Sequence, residues 1–242
     1  MTDRYSRQEL LPEIGSEGQK RIEAATVCLI GCGALGTGIA EILVRAGVGR
    51  LRIADRDFVE LSNLQRQVLF DESDAANRRP KAEAAAQKLA AINSTVTVEP
   101  FVTDVVPQTI ASLIEGADVV LDGTDNFKTR YLINDICVRA ELPWVYGGAL
   151  GMKGLVLPVL PGKSACLRCM LPDPPPPKDV PTADIAGILA GTTRTVSALQ
   201  ATCALQLLVG DESGAGRLTS INMWTRRFST VTIPKNDRCP TC

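Results

Sequence analysis

Not one of the 242 residues is histidine. Imidazole is the side chain whose unperturbed charge change falls between about pH 5 and 8. Its absence excludes Ser-His-Asp and Cys-His catalysis, histidine metal ligation and an imidazole base. Any chemistry must run on carboxylates, lysine, arginine, cysteine, a nucleotide or a metal. Aromatic residues are scarce, at 4%. Trp144, Tyr146, Trp224 and Phe228 are too few and scattered to define a partner surface, and are read mostly as core or strand-pair residues. An excess of one charge is also missing. The formal net charge is −1, which excludes the basic excess of a nucleic-acid binder, and no charge block suggests a membrane-binding or disordered tail. The N-terminal MTDRYSRQEL has no apolar stretch of the secretory kind. The longest apolar runs are broken by Gly, Arg or Glu and fall short of the ~20 residues that span a bilayer. The expectation is a cytoplasmic protein with no membrane or nucleic-acid partner.

What is present supports a globular α/β fold. Hydrophobic residues make up 45% and charged residues 22%, enough for a buried core. The length suits one large domain, 1–242, rather than two. Buried-strand patterns at 26–30, 51–54, 96–98, 118–122 and 144–146 alternate with helical patterns at 35–46, 80–92, 107–115 and 126–140. Such alternation predicts a Rossmann-like, mostly parallel sheet with helices on both faces. The last third reads differently, with a strand at 153–159, a helix at 192–209 ending at Gly210, and two strands within 217–233 that extend the sheet in antiparallel fashion. Between them, 171–190 carries four consecutive prolines, Pro174 to Pro177, and reads as a mobile or extended loop.

The first strand runs directly into Gly31-x-Gly33-x-x-Gly36, and a helix follows. Glycines let backbone approach a phosphate closely, while the helix start offers free N–H groups and the positive end of its dipole. Asp55 ends the next strand, about 20 residues beyond the loop in the usual pattern, where a carboxylate accepts hydrogen bonds from ribose hydroxyls. Alone, this motif also fits a nicotinamide dehydrogenase. The residues after it favour another reading. Asp57, Asn63, Arg66 and Lys81 come soon after Asp55, and Asp122 and Asp125 close a later strand. Sites on parallel sheets form at the C-terminal ends of strands. Two cations with several carboxylates there suit a triphosphate with Mg²⁺ better than a dinucleotide.

Cys166-x-x-Cys169 and Cys239-x-x-Cys242 form two pairs. Together they can offer four thiolates to one tetrahedral Zn²⁺, leaving no open position for catalysis, so the site is read as structural. A redox dithiol or two local disulfides are the alternatives. Cys28, Cys32, Cys137 and Cys203 are read as packed residues.

With these motifs, Arg4-Tyr5-Ser6-Arg7-Gln8, Ala46-Gly47-Val48-Gly49, Leu61-Ser62-Asn63-Leu64-Gln65-Arg66-Gln67, Pro80-Lys81 and Thr124-Asp125-Asn126 resemble the ThiF/MoeB family in order over nearly the whole chain. These are bacterial relatives of ubiquitin-activating enzymes. The resemblance implies an ATP-dependent adenylyltransferase that releases pyrophosphate. Its substrate would be the C-terminal Gly-Gly carboxylate of a small ubiquitin-like sulfur-carrier protein. By position, Gly31, Gly33, Ala34 and Gly36 would line the nucleotide, Ala34 standing where some members carry another glycine. Asp55 and Asp57, with Ser62 and Asn126, would complete the nucleotide site. Asn63, Arg66 and Lys81 would hold phosphates, and Asp125 would ligate Mg²⁺. Arg7 would act catalytically with Arg66, Lys81 and Asp125, in this family commonly in the site of a neighbouring subunit of a homodimer. Residues 26–150 would form the nucleotide-binding part and 151–242 the carrier-binding and zinc part, with 171–190 guiding the carrier's tail. Ala183 stands where some relatives carry a reactive cysteine, so adenylation alone is expected, with sulfur delivered by another protein. A non-catalytic scaffold that binds nucleotide or carrier is the further alternative.

Overall fold

The computed structural model describes residues 4–176 and 182–242; residues 177–181 of the proline-rich segment lie outside the described residues. Two helices, α1 (Ser6–Glu9) and α2 (Gly15–Ala24), lead into β1 (Thr26–Ile30), α3 (Gly36–Ala46) and β2 (Arg50–Ala54). A 3-10 turn at Leu61–Asn63, then α4 (Glu72–Ala76) and α5 (Lys81–Ile92), cross to β3 (Thr97–Phe101). α6 (Ile110–Ile114) returns to β4 (Val119–Asp122), and α7 (Phe127–Arg139) leads to β5 (Trp144–Leu150) and β6 (Lys153–Val159). The chain finishes through α8 (Leu167–Met170), α9 (Ala183–Ala186), α10 (Ala190–Val209), β7 (Arg217–Asn222) and β8 (Arg227–Thr232).

The strands form one sheet in the order β3-β2-β1-β4-β5-β6-β7-β8. The first five are parallel and β6 to β8 antiparallel. Strand alternation divides the core in two. Val27 and Leu29 of β1 join the core under α2, α3, α5 and α10. Cys28 and Ile30 face the opposite core with α6 and α7. Gly47 closes α3 at φ +87°, a left-handed cap that suits glycine. A Cβ there would also run into the Tyr5 ring. No described helix is long and apolar enough to cross a membrane.

Two features depart from the sequence reading. β3 runs Thr97–Phe101 through Pro100, where the pattern suggests 96–98. Proline lacks a ladder donor, and β3 tolerates it because it lies at the sheet edge. Trp144 and Tyr146 are buried as expected and Phe228 pairs with Ile221 across β7 and β8, but Trp224, in the turn between those strands, is 72% exposed. Phe228 is 54% exposed because β8 lies open on the uncovered edge of the sheet.

The path of the chain locates the crevice. After β1 the chain moves outward to β2 and β3, then returns to the other side of β1 for β4. The switch point therefore lies between the C-terminal ends of β1 and β4, where such sheets open a crevice.

Candidate functional site

The two loops that leave β1 and β4 meet at that crevice. The Gly123 N–H donates to the Ile30 carbonyl at 2.7 Å. A Cβ on Gly31, which has φ +90°, would lie 2.7 Å from the Gly123 carbonyl carbon, and one on Gly36 would overlap the Gly31 carbonyl oxygen. These two glycines are required by the protein's own packing. Gly33 is different: the nearest atom to its virtual Cβ is Gln67 Nε2, at 3.8 Å. Gly33→Ala is therefore expected to leave the melting temperature unchanged and weaken nucleotide binding, whereas Gly36→Ala should fail to fold stably. Paired thermal melts and nucleotide titrations distinguish the two. Ala34, half-buried, sits in the same turn.

Asp55 closes β2 and is tied to the loop. Its Oδ2 accepts the Cys32 N–H at 2.6 Å and its Oδ1 the Asp57 N–H at 2.7 Å. Burial pushes its carboxyl above the ordinary range, while those N–H bonds and the Lys81 charge pull it back. Burial likewise pushes the Cys32 thiol far up, so it is a packed thiol rather than a reactive thiolate.

Lys81 opens α5 immediately after Pro80, and its side chain is only 9% exposed. Its Nζ reaches Asp57 Oδ2 at 3.2 Å. A cation in the first turn of a helix opposes the dipole, and burying one costs desolvation. Both features run against local preference, which singles out Lys81 as a candidate functional residue. Asn63 is buried and shares a capping box with Glu60. Its backbone carbonyl accepts the N–H of Arg66 and of Gln67. Arg66 donates to the Ser62 carbonyl at 2.9 Å. The Ser62–Arg66 turn thus holds its own shape on the β2 side. Gln67 Oε1 is buried with no hydrogen-bond partner among the described residues.

On the β4 side, Asp125 is exposed, and Asn126 caps α7 by accepting the Thr129 N–H at 2.9 Å. Asp122, beneath them, is fully buried. Burial raises its carboxyl, and Arg130 opposes the rise. Sequence reasoning missed Arg130. Its Nε meets Asp122 Oδ2 at 3.2 Å and its second terminal nitrogen donates to the Thr124 carbonyl at 2.8 Å. Thr124 in turn gives its N–H and hydroxyl to Asp122 Oδ1. The pair grips Thr124 from both sides and fixes the turn that carries Asp125. Gln200 of α10 adds a bond to the Asp122 carbonyl at 2.8 Å.

Arg7 lies elsewhere. Gln8 donates to the Ala46 carbonyl at the C-terminal end of α3, and Tyr5 packs on Gly47. The glycine loop is at the other end of those eleven residues, about 16 Å away at 1.5 Å per residue. The fold does not bring Arg7 to the crevice of its own chain.

A second centre lies at the chain's end. The sulfurs of Cys166, Cys169, Cys239 and Cys242 all fall within 4.8 Å of one another. The bonded length of a disulfide is about 2.05 Å, and all four are free thiols. Close approaches run across the two motifs, Cys166 to Cys239 at 3.6 Å and Cys169 to Cys242 at 3.4 Å. This arrangement suits one shared metal ion rather than two local disulfides. Cys166 sits at the N-cap position of α8. The Asn236 N–H points at Cys169 Sγ at 3.4 Å.

Comparison with known proteins places these centres in context. Residues 5–241 match the ThiF family. The chain is 46% identical to the sulfur carrier protein ThiS adenylyltransferase of Bacillus subtilis (strain 168), covering 100% of this chain and 72% of the relative. It is 39% identical to the sulfur carrier protein adenylyltransferase of Thermus thermophilus, covering 99% and 90%. It is equally, 39%, identical to the SAMP-activating enzyme E1 of Haloferax volcanii, covering 99% and 88%. Among solved structures, E. coli MccB with ATP superposes with a TM-score of 0.86 at 23% identity, covering 100% of this chain and 75% of that one. This last likeness establishes the fold.

Proposed function

The chain belongs to the ThiF family, and from that premise we propose that it uses ATP to adenylate the C-terminal carboxylate of a small sulfur-carrier protein. The relatives that are 39–46% identical over essentially the whole chain carry adenylyltransferase or activating-enzyme names. The observation that carries the reading is Lys81, a nine-tenths buried cation at the switch-point crevice whose ion-pair partner, Asp57, is itself exposed.

The reaction requires no histidine. A C-terminal carboxylate has a free pKa of about 3.5 and is ionised at neutral pH. One of its oxygens bonds to the α-phosphorus of ATP. The bond from that phosphorus to the bridging oxygen breaks, and pyrophosphate leaves with the electron pair. Products are the acyl-adenylate and pyrophosphate, with no net proton transfer. Positioning and charge neutralisation are the catalytic tasks. Lys81 and Arg66, with Asn63, would hold phosphate oxygens, and Asp55 the ribose. Gly31, Gly33, Ala34 and Gly36 would present backbone to the nucleotide. Ser62, Asp57 and Asn126 complete the set. Asp125, an exposed carboxylate beyond β4, would hold Mg²⁺, which would neutralise charge on the phosphates. Residues 26–150 would do this work.

Residues 151–242 would dock the carrier and hold a structural Zn²⁺. Four thiolates at a Zn–S length of about 2.3 Å stand about 3.8 Å apart, a spacing that the two cross-motif approaches support. The carrier's tail would end in Gly-Gly, since only a narrow chain reaches the α-phosphate, and 171–190 would guide it. Ala183, at the start of α9, supplies no thiol, so sulfur transfer would fall to another protein. Arg7 would act in the crevice of a second copy in a homodimer, which its distance from its own glycine loop favours. Eight unpaired cysteines suit a reducing compartment, the cytoplasm.

A nicotinamide dehydrogenase is the competing reading of the glycine loop. ATP–Mg²⁺ at 100 times its Kd should raise the melting temperature by about 5–10 °C, from ~2.7 kcal/mol of linkage at 2–4 °C per kcal/mol. NAD should leave it unchanged; the reverse result would overturn the proposal.

A further inference from the structure

One carboxylate touches both halves of the four-cysteine centre. Asp135 lies on α7. Its two oxygens accept Arg168 Nε and a terminal nitrogen of Arg168, each at 2.8 Å. Arg168 is a central residue of the first cysteine pair. Asp135 Oδ1 also accepts the hydroxyl of Thr241, at 3.1 Å, a central residue of the second pair and 106 positions away in sequence. The rest of the guanidinium is engaged, with its other terminal nitrogen on the Pro172 carbonyl at 2.9 Å and its plane 4.6 Å from the Tyr131 ring centre. Neighbours on α7 grip the same segment. Asn134 Oδ1 accepts the Leu167 N–H at 2.9 Å, and the Tyr131 hydroxyl donates to the Leu171 carbonyl at 2.7 Å.

We propose that Asp135 is a positioning residue for the metal centre: its carboxylate holds both cysteine motifs by their central residues, drawing the chain's last four residues onto the first pair before a metal binds. The inference rests on the metal reading of the four thiols. Cys166 and Cys239 are separated by 73 positions, so bringing the arms together has an entropic cost that grows with loop length. A bidentate Arg–carboxylate fork sets geometry as well as attraction. The Arg168 charge also cancels that of Asp135, so the clamp adds no net negative charge beside four thiolates. Polar groups that hold metal-binding residues in place commonly change affinity when removed.

The test is the zinc affinity of the full chain, measured by competition with a chromophoric chelator under reducing conditions. Asp135→Ala should weaken binding about 10- to 100-fold. Thr241→Val should weaken it in the same direction, and adding it to Asp135→Ala should bring no further loss, because Asp135→Ala already removes the contact to Thr241. ATP–Mg²⁺ affinity, measured in parallel, should be unchanged. If Asp135→Ala does not fold, Thr241→Val decides alone, since it deletes one hydroxyl near the chain's end. Unchanged zinc affinity in the folded variants would overturn the clamp while leaving the metal reading in place. A wild-type chain that binds no zinc would overturn both.

Discussion

Lys81→Met is expected to lower the rate of adenylation by about 10²- to 10³-fold, the cost of deleting one preorganised donor at a developing charge, while the protein stays folded. Both halves of that expectation come from where the lysine sits. It opens α5 on the β2 side of the crevice, buried, with Nζ on Asp57 Oδ2. Asp57 is exposed and is readily solvated once its partner is gone. Methionine is of similar length without a charge, and replacing a buried charge by an apolar side chain of similar shape is often neutral or stabilising. Removing a cation from the first turn of a helix also relieves its conflict with the dipole. The expected result is a melting temperature equal to or above that of the wild type, with activity nearly gone. Full activity would remove Lys81 from the phosphate site. A variant that fails to fold would make it a structural lysine instead.

Chelation of a metal proposed at the four-cysteine centre is expected to have the second large effect, on stability. Structural zinc contributes about 10–16 kcal/mol in finger peptides. This chain has a core of its own, so only part of that applies. Even ~3 kcal/mol, at 2–4 °C per kcal/mol, lowers the melting temperature by about 6–12 °C. The loss should be local. The second cysteine pair follows β8, and the metal would join it to α8. Hydrogen exchange after chelation should speed up around 160–172 and 233–242 and leave β1, β2 and β4 protected. Cys239→Ser should reproduce the pattern. An unchanged melting temperature and exchange map after chelation would refute a structural metal.

Much of the fold is legible in the sequence because its signals are local and redundant. Thr26–Ile30, the three glycines and a helix closed by Gly47 form one continuous pattern, and the structure reproduces each boundary closely. The cysteine pairs declare themselves by spacing. Elements of four or five residues, such as α4, α8 and α9, are too short for a 3.6-residue period to appear. The strand read at 96–98 stops short of Pro100, which β3 includes, and sequence does not reveal that β3 is an edge. Arg130 is the most instructive omission. Within a helical pattern an arginine is read as solvent-facing, and only the fold shows it buried over Asp122 and Thr124. Arg7 is the reverse case. Resemblance alone singles it out, and the fold sets the segment that carries it at the far end of α3.

The most direct test of the account is ATP–pyrophosphate exchange with Mg²⁺ across a panel of small carrier proteins ending in Gly-Gly. Exchange that appears with one carrier, and disappears when that carrier's terminal carboxylate is blocked, is the predicted result. Binding of ATP with no exchange for any carrier would contradict it, and would leave a nucleotide-binding scaffold or another carboxylate substrate.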